Sequence, residues 1–235
     1  MTDVDTSGAV LHRYLLAKAA VIEAGFEDEV AWQENLAGNE VTDSDFMREA
    51  AWVVLSSGMR ESVVRAKFPK ISNAFWGWRS PRRITADRGK CRRTALRAFN
   101  HPAKIDAILD ICETVDRRGA AAILTDARAK GVQELCALPH IGPVTVFHLA
   151  RNLGFMVSKP DRHLQRIAVA LAAPCVASLC GTVAEQSGDP VSVVDLVLWR
   201  YATIQHDYVR FFSRARESSA AASTSALSLS DASIG

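Results

Sequence analysis

No stretch of this 235-residue chain alternates apolar and polar side chains and then doubles back at a turn, so no strand pair can be traced. Apolar positions return instead every three or four residues, the spacing that lays a stripe along a helix. Residues 10–24 keep this period and stop at Gly25, a good C-cap. "TDSDFMREAAWVVLSSG" opens on Thr42 with Asp45 three residues on, resembling a capping box. Its Phe46, Ala50, Val53 and Val54 share one helix face as far as Gly58. Further helices fit 60–67, 86–99, 102–118, 122–130, 132–137, 143–153, 162–172 and 191–214. The expected fold class is all-α.

Such a chain is long enough for one large domain or two modest lobes. No run approaches the roughly 18 to 20 apolar residues of a membrane helix, so no membrane partner is expected. The opening "MTDVDTSGAV" is acidic and has neither the basic nor the apolar region of a secretory leader. The five scattered cysteines (Cys91, Cys112, Cys136, Cys175, Cys180) then suit reduced thiols in a cytoplasm. Cys175 and Cys180 alone make a poor metal site, and no metal ligands are assigned. Residues 1–8 are expected to be a flexible start. Residues 217–235, Ser/Ala-rich and without aromatics, are expected to be a disordered tail.

The net charge of +2 conceals a segregation. Residues 60–104 hold 13 Lys or Arg against Glu61 and Asp87, an excess of 11, so the remainder is acidic by 9. Charge runs are usually a solvated face. Here Phe68, Phe75, Trp76 and Trp78 interleave with the cations, which favours a polyanion such as nucleic acid.

"LPHIGPVTVFHLARNLG", 138–154, wedges Pro-His-Ile-Gly-Pro between two helical patterns. Pro139 ends the first helix, Gly142 can take a positive φ or admit another backbone, and Pro143 suits the first position of the second helix. Free amides around Ile141 to Thr145, at the positive end of the helix dipole, would bind a phosphate. The plain alternative is an ordinary corner between helices. Downstream, "SKPDRHLQRIA" places Asp161 as N-cap before the apolar period Leu164, Ile167, Ala168 and Leu171.

Taken together, Leu-Pro-x-Ile-Gly, a small-residue helix and then Asp-x-His, with Gly142 and Asp161 nineteen apart, resemble the helix-hairpin-helix/Gly-Pro-Asp superfamily of DNA glycosylases, such as endonuclease III. The close likeness covers about 35 residues. A weaker one extends to "AWVVLSSGMRESVVRAKFPKI" upstream and "DLVLWRYA" downstream. The resemblance implies two helical lobes with a DNA-binding cleft between them. One lobe, 41–149, would be a helical barrel ending in the helix-hairpin-helix at about 132–153. The other, 9–40 plus 150–216, would carry Asp161. It also implies base flipping, at a cost of a few kcal/mol, followed by hydrolysis of the N-glycosidic bond. Asp161 would be the catalytic carboxylate, stabilising the sugar cation and deprotonating water. Pro139, His140, Ile141, Gly142, Val144 and Thr145 would contact DNA, although His140, which replaces the family's small residue, can instead shape the pocket or equally be a surface histidine. Gly58, Met59 and Arg60 match the helix-tip turn, where Met59 or Arg60 would fill the hole left by the flipped nucleotide; a plain turn is the alternative.

Departures from the family narrow the expectation. Val144 stands where bifunctional members carry the Schiff-base lysine, so a monofunctional enzyme without lyase activity is expected; Lys159 is near in sequence but not at the matching position. The four-cysteine loop is absent, so no iron–sulfur cluster is expected. No cofactor is required, and a cation held by the hairpin backbone is the one addition the resemblance allows. The expected partner is double-stranded DNA with a damaged or modified base, bound by a monomer. Base-pocket candidates are Trp52, Trp76, Trp78, Trp199 and Tyr201, each of which could be core. The base excised is open, and with it base-excision repair or antiviral defence against modified phage DNA. The competing class is a non-catalytic helix-hairpin-helix DNA-binding module, which needs no carboxylate at Asp161.

Overall fold

The computed structural model describes residues 3–36 and 40–215. Among them every regular element is helical: α1 (Asp3–Val21), α2 (Glu27–Asn35), α3 (Asp43–Ser56), α4 (Glu61–Ala74), α5 (Pro81–Ala86), α6 (Arg88–Ala98), α7 (Pro102–Arg118), α8 (Ala120–Lys130), α9 (Thr145–Asn152), α10 (Arg162–Ala170), α11 (Val176–Ser187) and α12 (Val191–Ile204). A last helical stretch covers 208–215. The chain divides into two compact units, Gly38–Phe155 and Met1–Ala37 with Met156–Gly235. The division falls later than the expected 149. The Phe155 amide still bonds to the Ala150 carbonyl (3.0 Å), and the Arg128 guanidinium lies 5.6 Å from the Phe155 ring centroid.

In the unit Gly38–Phe155, α3 packs against α4, α7 and α9. Its start is the expected capping box: Thr42 Oγ1 accepts from the Asp45 amide (3.1 Å), and Asp45 Oδ2 accepts from the Thr42 amide (3.3 Å). Phe46, Ala50, Val53 and Val54 are buried on one face, as are Ile105, Ile108 and Cys112 on α7. Side chains of the larger kind each contribute about 1.5–3 kcal/mol when fully buried. Helix α4 continues past the expected 67 and through Pro69, because Val64, Ile71 and Ala74 keep an inward stripe to Ala74.

In the second unit, α1, α10, α11, α12 and 208–215 share one core built on Tyr14, Ala17, Leu164, Ile167, Val197 and Phe212. Tyr14 donates to Asp189 (2.5 Å), and the Lys18 ammonium binds the same carboxylate (2.8 Å).

Several elements differ from the sequence expectation. Of the start expected at 1–8, residues 3–8 lie in α1, and the tail 217–235 lies outside the described residues. The first helix gives way to a π-helical turn, Ile22–Phe26, where Gly25 takes φ 88°. Helix α2 follows; only Val30 and Gln33 are buried on it, too few to show a period. Helix α11 was not expected either, although Val176, Leu179, Cys180 and Val183 keep a helical stripe on its buried face. The segment 132–137 is a 3-10 turn, α9 starts at Thr145 rather than Pro143, and 191–214 breaks at Gln205.

Candidate functional site

The hairpin is closed by its own atoms. The Ile141 amide donates to the Leu138 carbonyl (3.1 Å), and the Gly142 amide donates to Thr145 Oγ1 (2.7 Å). Those two amides are therefore unavailable to a ligand. The amides of Val144 and Thr145, at the start of α9, have no acceptor among the described residues. The left-handed residue is His140 (φ 61°), not Gly142. A Cβ at Gly142 would meet only Thr145 Oγ1, at 3.8 Å, so nothing inside the fold demands a glycine there. Ile141 and Leu138 are buried and anchor the loop, while His140, Pro143 and Val144 are exposed.

Ser57 and residues 136–145 line an open basin of about 620 Å³, which brings the helix-tip turn beside the hairpin. Residues Ser57–Arg60 are exposed, and Gly58 takes φ 69° to reverse the chain after α3. Beneath the turn lies Lys104, 5% exposed, whose ammonium donates to the carbonyls of Leu55 (2.8 Å) and Ser57 (2.5 Å). It caps the negative end of α3. Burial lowers its pKa below the ordinary lysine value. Sequence reasoning counted Lys104 in the basic face; the structure makes it an internal cap. An isolated cation near the start of an apolar helix was the available signal.

The basic stretch also divides. Arg88 pairs with Asp110 (2.7 Å), Arg92 with Asp106 (2.6 Å) and Arg65 with Glu61. Arg60, Lys70, Arg79, Arg82, Arg83, Lys90, Arg93 and Arg97 have no carboxylate partner among the described residues. The excess counted within 60–104 is thus partly neutralised from α7.

In the other unit Asp161 caps α10. Its Oδ1 accepts from the amides of His163 (2.9 Å) and Leu164 (3.1 Å), and among the described residues its Oδ2 has only the Lys159 ammonium, 4.0 Å away. The strap ahead of it is fixed by α12: buried Asp195 accepts from the Lys159 amide (2.6 Å), and Ser192 Oγ donates to Met156 Sδ (3.8 Å). His163 Nδ1 lies 3.1 Å from the Tyr208 hydroxyl; burial lowers the His163 pKa, against a smaller raising effect of Asp161. Sequence reasoning gave Asp195 no role. A lone carboxylate in the apolar run "VSVVDLVLW" was the clue, since a buried charge must be bonded.

The aromatic candidates separate by burial. Trp78 is 2% exposed, stacked 4.7 Å from Phe75, with its N–H donated to Ser72 Oγ (3.0 Å); it is core, not pocket lining. Tyr201, 6% exposed between Phe211 and Phe212, is core as well. Trp52 meets Phe68 edge-on, 5.2 Å apart, with the Arg65 guanidinium 5.7 Å from its ring centroid. Trp199 lies under the Arg200 guanidinium (4.6 Å), and Trp76 carries two cations of its own.

Among the described residues no three His, Cys, Asp or Glu side chains converge as metal ligands, and no helix is long and apolar enough to cross a membrane. Comparison with protein-family models, curated proteins and solved structures gave no match.

Proposed function

We propose that the protein is a monofunctional DNA glycosylase, which flips a damaged or modified base from double-stranded DNA and hydrolyses its N-glycosidic bond to leave an abasic site. The observation that carries this reading is the division of labour within Asp161. One oxygen is spent on two helix amides, which fixes the carboxylate, and the other is left for chemistry. A fixed anion of this kind stabilises positive charge developing on a sugar and can take a proton from water. The hairpin amides of Val144 and Thr145, together with the unneutralised cations of 60–104, support a phosphate-gripping role for the other unit. A cation held by hairpin carbonyls and a monomeric state belong to the same reading, as does a role in base-excision repair or in defence against modified phage DNA.

The second reading, a non-catalytic helix-hairpin-helix module, draws on the same cap: two hydrogen bonds to α10 are already a structural reason for Asp161. A panel of duplex oligonucleotides bearing alkylated, oxidised, mispaired or hypermodified bases, treated with alkali after incubation, separates the two. The glycosylase reading expects alkali-labile sites on at least one substrate and an intact strand before alkali. Borohydride should trap no covalent adduct. A trapped adduct would implicate Lys159, the amine beside Asp161, and make the enzyme a lyase.

A further inference from the structure

The turn between α4 and α5 holds three successive residues in the left-handed region: Trp76 (φ 56°), Gly77 (φ 63°) and Trp78 (φ 63°). Bulky L-residues rarely adopt this conformation singly, still less in a run. The core explains one of the two tryptophans, because Trp78 stacks on Phe75 and bonds to Ser72. Trp76 is only half-buried: its indole N–H lies inside the fold, while its ring carries two cations. The Arg83 guanidinium lies 3.9 Å and the Lys90 ammonium 4.6 Å from its ring centroid.

Beside this ring is a bowl of about 320 Å³ lined by Asn73, Trp76, Gly77, Arg79, Ser80 and Arg83. No carboxylate lines it, and Arg79, Arg83 and Lys90 have no acidic partner among the described residues. On α6 itself Arg88 and Arg92 are held by Asp110 and Asp106, so the absence of acid is local to the bowl. A guanidinium stacked on an indole uses its face and leaves its N–H edge free, in the fork that fits two oxygens of a phosphate. Asn73 adds a carboxamide, and Ser80, whose oxygen accepts from the Arg83 amide (3.2 Å), still has its hydroxyl hydrogen to give.

We infer that this bowl is a phosphate-binding site, separate from the hairpin, that takes the phosphodiester backbone of a nucleic-acid strand. Two cations line the bowl and a third, Lys90, shares the Trp76 ring; together they exceed the charge of a single phosphodiester and suit a chain of them. With its ring already covered by cations, Trp76 serves as the surface that orients Arg83 and does not stack on a base. Recognition here is therefore indifferent to sequence. This inference rests on the proposed DNA partner, and its test keeps the two apart.

Fluorescence anisotropy with a labelled, undamaged duplex of about 25 base pairs, between roughly 50 and 200 mM salt, measures affinity and its salt slope. Arg79→Gln/Arg83→Gln is expected to weaken binding about tenfold or more at the low-salt end. It should also reduce the log–log slope by about 0.9 for each phosphate that is no longer neutralised. Trp76→Leu, which keeps both arginines but removes the platform under Arg83, should give a smaller loss. Arg92→Gln, which removes one positive charge where the double variant removes two, and takes it from an ion pair, should leave the slope near the parent's. Both Arg79 and Arg83 are exposed, so thermal melting of the double variant should match the parent's. A double variant with the parent's slope overturns the site while leaving DNA binding in place. A parent with no DNA affinity removes the DNA reading. If inorganic phosphate then quenches tryptophan emission in the parent but not in the double variant, the strand is overturned as the ligand and a small phosphate takes its place.

Discussion

The loop before α9 and the strap before α10 are both short, both contain proline and both deliver the chain to a helix N-terminus, yet they are secured by different means. The hairpin closes on itself, through Leu138 to Ile141 and Gly142 to Thr145, bonds that span three residues. The strap is held from afar, by Asp195 and Ser192 on α12, each 36 positions along the chain from its partner. A loop that grips backbone phosphates tolerates small shifts, so local closure suffices. A carboxylate that must stand beside a reacting atom does not, since a displacement of about 1 Å can cost 10²-fold in rate. On the proposed function, the two constructions match the two tasks.

The comparison would break most visibly at Asp161. Asp161→Asn keeps an acceptor for the His163 and Leu164 amides, so melting temperature and DNA affinity should change little. Single-turnover base release on a substrate found by the panel should fall about 10²- to 10⁴-fold. Release within a few-fold of the parent would leave Asp161 as a cap and nothing more. The next largest effect is expected at Asp195. Asp195→Ala leaves the Lys159 amide without its buried acceptor, which should cost about 1–3 kcal/mol in chemical denaturation and slow base release more than it weakens binding. Asp195→Asn, with an oxygen retained, should recover part of both.

The hairpin should respond in the opposite sense. Because a Cβ at Gly142 meets only ordinary contact inside the fold, Gly142→Ala should melt like the parent. If a DNA strand approaches that backbone, affinity for any duplex should nevertheless fall about tenfold, or 1.4 kcal/mol. An unchanged affinity would show that the strand does not approach there. The smallest effect sharpens the contrast within the hairpin unit. Glu49 is nearly buried against Asn152 (3.0 Å), and burial raises its pKa, opposed by Arg48 and Asn152. A carboxyl raised in the folded state contributes stability that is full below the unfolded value, about 4.3, and fades as pH rises through the folded one. Glu49→Gln should flatten the fall in melting temperature just above that pH.

Much of the helical framework was legible in the chain because its signals are local. The Thr42 box, the Asp161 cap and the stripes of α3, α7 and α10 each involve residues within a few positions of one another. Helix α2 escaped because few of its side chains face a core; α11 was missed although Val176, Leu179, Cys180 and Val183 face one. The candidate site was legible by position but not by construction. Ile141 and Gly142 were expected to offer amides that the fold spends internally, and Lys104 was expected on a surface that it lies beneath.

By itself, then, the sequence determined an all-helical chain, the place of its principal turns and the Asp that opens α10. Each follows from hydrogen bonds and side-chain periods that close within about one helical turn. Tertiary structure alone decided which cations stay unneutralised, because Asp106 and Asp110 reach Arg92 and Arg88 from a different helix. It alone decided that Trp78 and Tyr201 are core while Trp76 is half-buried with its ring under Arg83, and that Asp195 holds the strap of Asp161. Burial and ion pairing depend on which distant segments meet, and those meetings leave no local period to read.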